Sequence, residues 1–201
     1  MKNVTALLFA SVMLASQACN TSDSGKDSVA TANDQNAKKD TSNASADKKD
    51  TVVNAMSVND DVAKFAVKAA NGGMAEVALG KLAEQKATNP KIKDFGSMMV
   101  KDHTRANDKL KSLAAEKNIT LPTALSDEDQ KHVDDLSKKN GKDFDKDYLD
   151  LMVKDHKDDI DEFENAAKNS SDSAFKNFAA TTLPTLYKHL GAAKAIQKSG
   201  Y

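Results

Sequence analysis

From Asn59 onward the large apolar residues recur at spacings of three and four, and this pattern persists through four long stretches separated by short polar punctuation. That period belongs to helices with one buried face and not to strands, whose faces alternate every second residue. The first stretch opens at Asn59-Asp60, runs to about Ala87, and carries Val62, Phe65, Ala69, Gly72, Leu79 and Ala83 on one stripe. Thr88-Asn89-Pro90 then supplies a cap and a first-turn proline, starting a second helix that reaches about Lys117 with Phe95, Met99, Ala106, Leu110 and Leu113 inward. A loop follows, and Ser126 through Asp129 reads as a capping box for a short helix ending near Asn140-Gly141. Asp143 is the expected cap of a third long helix, to about Lys168, with Tyr148, Met152, Ile160, Phe163 and Ala167 inward. The fourth runs from about Asp172 to Lys198 and aligns Phe175, Phe178, Thr182, Leu186, Ala193 and Ile196. The fold class is therefore all-α: a four-helix bundle over residues 58–201, with a short extra helix in the crossover between the second and third long helices.

The N-terminus has a different character. Lys2 precedes an apolar run at residues 4–15, too short for a bilayer span of roughly 20 residues, and small residues follow at Ser16 and Ala18, so residues 1–18 read as a signal peptide. Cys19, the single cysteine, directly follows Ala18 in Leu14-Ala15-Ser16-Gln17-Ala18-Cys19, a segment that resembles the lipobox of bacterial lipoproteins, with Gln17 departing from the usual small residue. That resemblance implies a lipid on Cys19 and a membrane as partner. Residues 19–57 are mostly Ser, Thr, Asn, Asp, Lys and Ala, a composition that buries too little apolar surface to offset the entropy of ordering; it reads as a flexible leash. As a coil it would hold the domain roughly 30–40 Å from its anchor. With 29 basic and 30 acidic residues, net charge −1, the chain lacks the field that draws nucleic acid, and with no clear apolar patch the expectation is a monomer.

Each long helix carries one ionisable residue within its apolar stripe: Glu76, His103, His156 and His189. Glu76 lies thirteen positions before Asn89 and His103 fourteen after it, so in an antiparallel pair both stand about 20 Å from that turn. His156 and His189 fall near the middle of their helices. One mid-height cluster of three histidines and a glutamate is the expected result. Two readings of it are open: a site for one transition-metal ion, zinc, copper or iron, or a metal-free hydrogen-bonded network that fixes helix register. Asp102 and Asp155 each precede a histidine; they either orient a histidine through its second nitrogen or pair on the surface with Lys101, Arg105 or Lys154. His132, on the short helix, is read as a surface residue.

Several motifs recur in order: Phe65 through Glu76 to Gly80; Asn89-Pro90 leading to Met-Val-Lys-Asp-His103; Tyr148 through Asp-His156; and Leu183-Pro184-Thr-Leu-Tyr-Lys-His189-Leu. Together they resemble the bacterial domain-of-unknown-function family 4142, a family of predicted outer-membrane proteins grouped with ferritin-like bundles. The resemblance covers about residues 60–198. It implies a ferritin-like fold and an envelope location, and it supplies no activity. Ferritin-like di-iron proteins place Glu three residues before a helical His, whereas Val100, Val153 and Leu186 occupy those positions here. The function expected is thus an envelope lipoprotein whose bundle binds a metal through Glu76, His103, His156 and His189, for storage, buffering or sensing. A metal-free structural or protein-interaction module is the alternative, and an oxidase or peroxidase ranks third.

Overall fold

The computed structural model describes residues 27–41 and 59–200, so the signal-peptide segment and Cys19 lie outside the described residues. Among those described there are six helices and no strand: α1 (Ser28–Thr41), α2 (Asp60–Lys86), α3 (Pro90–Glu116), α4 (Asp127–Ser137), α5 (Gly141–Asn169) and α6 (Ser173–Lys198). None is long and apolar enough to cross a membrane.

The helix starts follow from local chemistry. Asn59 Oδ1 accepts from Val62 N–H at 3.1 Å, and Asn89 Oδ1 accepts from Lys91 N–H at 2.9 Å just ahead of Pro90. Asp172 accepts from both Ala174 and Phe175 N–H. Ser126 Oγ accepts from Asp129 N–H at 3.1 Å while its hydroxyl donates to the Asp129 carboxylate. Each such cap is worth about 1 kcal/mol. The third long helix departs from expectation: it opens at Gly141, two residues before Asp143, and Asn140 precedes it without a side-chain cap. Gly141 has φ +62°, a left-handed conformation that costs glycine little, so the chain reverses at once and Asp143 falls inside the first turn, where its charge favours the helix dipole.

The turn at 87–89 folds α3 back along α2, and that at 170–172 folds α6 back along α5. Between the hairpins the chain must return to the other end of the molecule, and α4 takes it there. Its start is tied to mid-α2, where Ser126 N–H donates to Asn71 Oδ1 at 2.9 Å. Beyond its end, Lys86 Nζ donates to the carbonyls of Ser137 and Lys139. Hence α4 runs beside α2 in the same direction, and α5 descends antiparallel to α2. The fully buried Asp145 fixes that upper corner, accepting from the N–H groups of Thr88 and Asn89 at 3.0 Å each. With α2 on α3 and α5, and α6 on the same two helices, the four long helices close a ring around one interior.

Two glycines set the distance between α2 and α3. A Cβ on Gly80 would stand 2.8 Å from the Gly96 carbonyl oxygen, and one on Gly96 would stand 2.7 Å from that of Gly80. The helices touch backbone to backbone here, one turn above Glu76.

The stretch read as a leash contains α1, a correction to that expectation. Composition misled because α1 docks through polar groups rather than a large apolar face. Asn36, 2% exposed, donates to Thr120 O at 2.9 Å and accepts from Thr120 N–H at 2.7 Å. Ser28 Oγ accepts from Thr123 and Ala124 N–H, and Asp27 accepts from Asp127 N–H. The helix supplies partners to backbone groups of the 118–124 loop that lack them locally.

Candidate functional site

Between the ends of the bundle the apolar core is interrupted by one polar layer. A lower cluster gathers Phe65, Leu110, Phe163, Phe175, Phe178 and Leu186, and an upper one Leu79, Phe95, Met99, Phe144, Tyr148 and Met152. On each long helix the ionisable residue falls between the two: Glu76 between Ala70 and Leu79, His103 between Met99 and Leu110, His156 between Met152 and Ile160, His189 between Leu186 and Ala193. All four are buried, with His156 and His189 fully so. The three imidazoles form a triangle with ring centroids 5.6, 5.2 and 5.3 Å apart. One nitrogen from each lies within 4.8 Å of the others.

The partners of each ring fix where its proton sits. His156 Nδ1 lies 2.9 Å from Met152 O, which can only accept, so Nδ1 carries the hydrogen and Nε2 a lone pair. His189 Nε2 lies 3.2 Å from Asp102 Oδ2, so the hydrogen is on Nε2 and the lone pair on Nδ1. These two lone pairs, on His156 Nε2 and His189 Nδ1, face each other at 3.3 Å. His103 Nδ1 meets Glu76 Oε2 at 2.6 Å, while its Nε2 is buried without a partner.

Burial sets the charge states. It pushes His103 down to about 4, and with the neighbouring His103 ring it takes His189 to about 4 also. His156 is lowered by burial, against the pull of Glu76. At neutral pH the three rings are therefore neutral, the form that binds metals. Glu76 is pushed up to about 7 by burial, opposed by His156. Burial also raises Asp102, but His189, Lys188 and Arg105 outweigh it and the net shift is downward, so this carboxylate is ionised.

The expected residues thus meet, with a division of labour that the sequence left undecided. Glu76 stands behind two rings: Oε2 against His103 Nδ1 and Oε1 3.2 Å from His156 Nδ1. Neither contact is aligned as a hydrogen bond, so neither ring is a well-directed donor to the buried carboxylate. Of the two aspartates, Asp102 reaches across to His189 on α6. Asp155 instead takes the surface alternative, 3.8 Å from Lys154 Nζ in an acidic cleft beside α4, where burial raises it to about 6 against the pull of Lys154. His132, read as a surface residue, is half-buried in the wall of that cleft, 4.0 Å from Asp129. Asp159 was missed. It lies against Glu76, raised well above its ordinary range by burial and by that neighbour. The signal was present, since Asp159 is three after His156 and four before Phe163, on the inward stripe.

No curated protein and no solved structure shows a significant match to the chain. A family profile does, over residues 47–196, which takes in α2, α3 and α5, all but the last two residues of α6, and every residue of the polar layer. The chain belongs to the family described as Domain of unknown function (DUF4142).

Proposed function

We propose that the polar layer binds one transition-metal ion, zinc, copper or iron, through His103 Nε2, His156 Nε2 and His189 Nδ1. Glu76 and Asp102 hold the rings from behind. The observation that carries this reading is the 3.3 Å approach of two imidazole nitrogens that both present lone pairs. Such an approach is repulsive unless a proton or a cation lies between, and burial disfavours the extra proton. Two nitrogens bound at 2.0–2.1 Å to one tetrahedral ion stand about 3.3–3.4 Å apart, which is the separation here. Carboxylates donating orientation to the far nitrogens are the usual outer partners of metal-bound histidines.

Two hairpins joined by one long crossover is the connectivity of ferritin-like four-helix bundles, and we assign the domain to that architecture. Three nitrogen ligands suit a single ion held for storage, buffering or sensing better than a carboxylate-bridged pair of irons. The signal-peptide pattern and Cys19 support an exported lipoprotein tethered in the cell envelope. A second reading rests on the contacts themselves: Glu76, His156, His189 and Asp102 link all four long helices and would fix their register without metal.

The test is metal content. Purified without chelator and titrated with Fe(II), Zn(II) and Cu(II), the chain is expected to hold about one ion and to melt higher when loaded; under about 0.1 ion per chain with no change in melting would contradict the site. Loss of labelled palmitate on Cys19→Ser tests the tether, and its retention contradicts it.

A further inference from the structure

A cleft of about 560 Å³ opens between α2, α4 and α5, and eight of its fourteen lining residues are carboxylates against two lysines. The two lysines offset part of that charge, Lys68 beside Glu162 at 2.8 Å and Lys154 between Asp158 at 3.0 Å and Asp155 at 3.8 Å, and the cleft stays acidic on balance. Surface acids alone would mean little, but the floor of this cleft includes Glu76, which is 2% exposed and whose oxygens receive no aligned hydrogen bond from either neighbouring histidine. Asp159 lies beside it. Two carboxyls this close, one buried and the other half-buried, repel unless they share a proton or a cation. The same pair also lines a small inner void of about 20 Å³ bounded by His103, with Leu110, Phe163 and Phe178 closing it on the apolar side. Glu76 and Asp159 thus separate an open acidic cleft from the histidine layer, and Glu76 touches His103 and His156 directly.

We infer that this cleft is the route by which a divalent cation reaches the histidines, with Glu128, Asp155 and Asp158 drawing it in and Glu76 with Asp159 passing it inward. The inference rests on the metal-binding reading and adds to it a path and a selectivity for cations over neutral or anionic species. A low-dielectric cleft lined by one sign of charge concentrates counter-ions and raises association rates by roughly 10–10³. Oxygen ligands exchange a hydrated cation readily, and the neutral nitrogens then hold it.

The test is stopped-flow uptake of Co(II) by the full chain, followed by its visible absorption. The triple variant Glu128→Gln, Asp155→Asn, Asp158→Asn is expected to take up Co(II) at least about tenfold more slowly at low ionic strength, with unchanged stoichiometry. The gap should narrow in high salt, which screens the cleft mouth. Asp94→Asn with Asp108→Asn, on α3 and outside the cleft, should match the unaltered chain. An unaltered rate in the triple variant, or equal slowing in the α3 control, overturns the route while leaving the site standing. Absence of saturable Co(II) uptake by the unaltered chain removes the metal-binding reading and the route together.

Discussion

Asp102 and His189 meet across two helices, and the consequence of that contact is a choice of tautomer. With the carboxylate fixing the hydrogen on Nε2, Nδ1 stays free to face His156. Asp102→Asn keeps the shape but loses the charge, so metal affinity should fall about 10–100-fold with the fold intact, as read by competition with a chromophoric chelator. Unchanged affinity would show that Asp102 does not orient the ring. The layer also makes stability depend on pH in two opposing ways. His103 and His189 titrate near 4 when folded and near 6.5 when unfolded, so the stability they contribute is present above 6.5 and lost as pH falls toward 4. Glu76, raised from 4.5 to about 7, contributes stability that is full below 4.5 and lost as pH rises through 7. Glu76→Gln removes the second effect. Its melting temperature, measured in chelator, should therefore climb more steeply from pH 4.5 to 6.5 than that of the unaltered chain, and parallel curves would contradict this balance. Helical phase alone was enough to bring Glu76 and the three histidines inward. It could not say which nitrogen each ring presents, because that depends on partners contributed by other helices.

At the scale of elements, the α2 and α3 pair shows how closely backbone approach governs the site. Gly80→Ala would drive a Cβ against the Gly96 carbonyl at 2.8 Å, forcing the helices apart one turn from Glu76. Overpacking of this kind costs about 1–3 kcal/mol. Gly72 lies on the same helix but its Cβ would meet only the Asp159 carboxyl, Oδ1 at 3.4 Å and Oδ2 at 3.9 Å, ordinary contacts. Gly72→Ala should therefore stabilise by about 0.5–1 kcal/mol through helix propensity. Urea unfolding of the two variants should give shifts of opposite sign, and shifts of one sign would contradict the close approach. The caps at Asn59, Asn89, Ser126 and Asp172 were legible because each bonds its own helix. Helix α1 was not, because Asn36 and Ser28 serve a loop some eighty residues or more away in sequence. Asp145 was hidden for the same reason, capping the turn before α3 from α5.

For the whole molecule, periodicity gave four long helices and a short fifth between the hairpins, but it left open which helices adjoin. The path of α4 decides that. By running up α2 it places α5 antiparallel to α2, and all four polar residues then reach one level between two apolar clusters. A layer of neutral imidazoles at that level is costly to bury without partners, and a bound cation would offset the cost by tying α3, α5 and α6 together, with α2 joined through Glu76. The most direct test is thermal unfolding of the chelator-stripped chain with and without zinc, beside the His103→Leu, His156→Leu double variant. Zinc at about 100 times its dissociation constant is expected to add about 2.7 kcal/mol of stability to the unaltered chain and nothing to the variant. Equal melting of the unaltered chain with and without zinc, copper and iron, and a double variant as stable or more so, would contradict the metal site and leave the layer as a register-setting network.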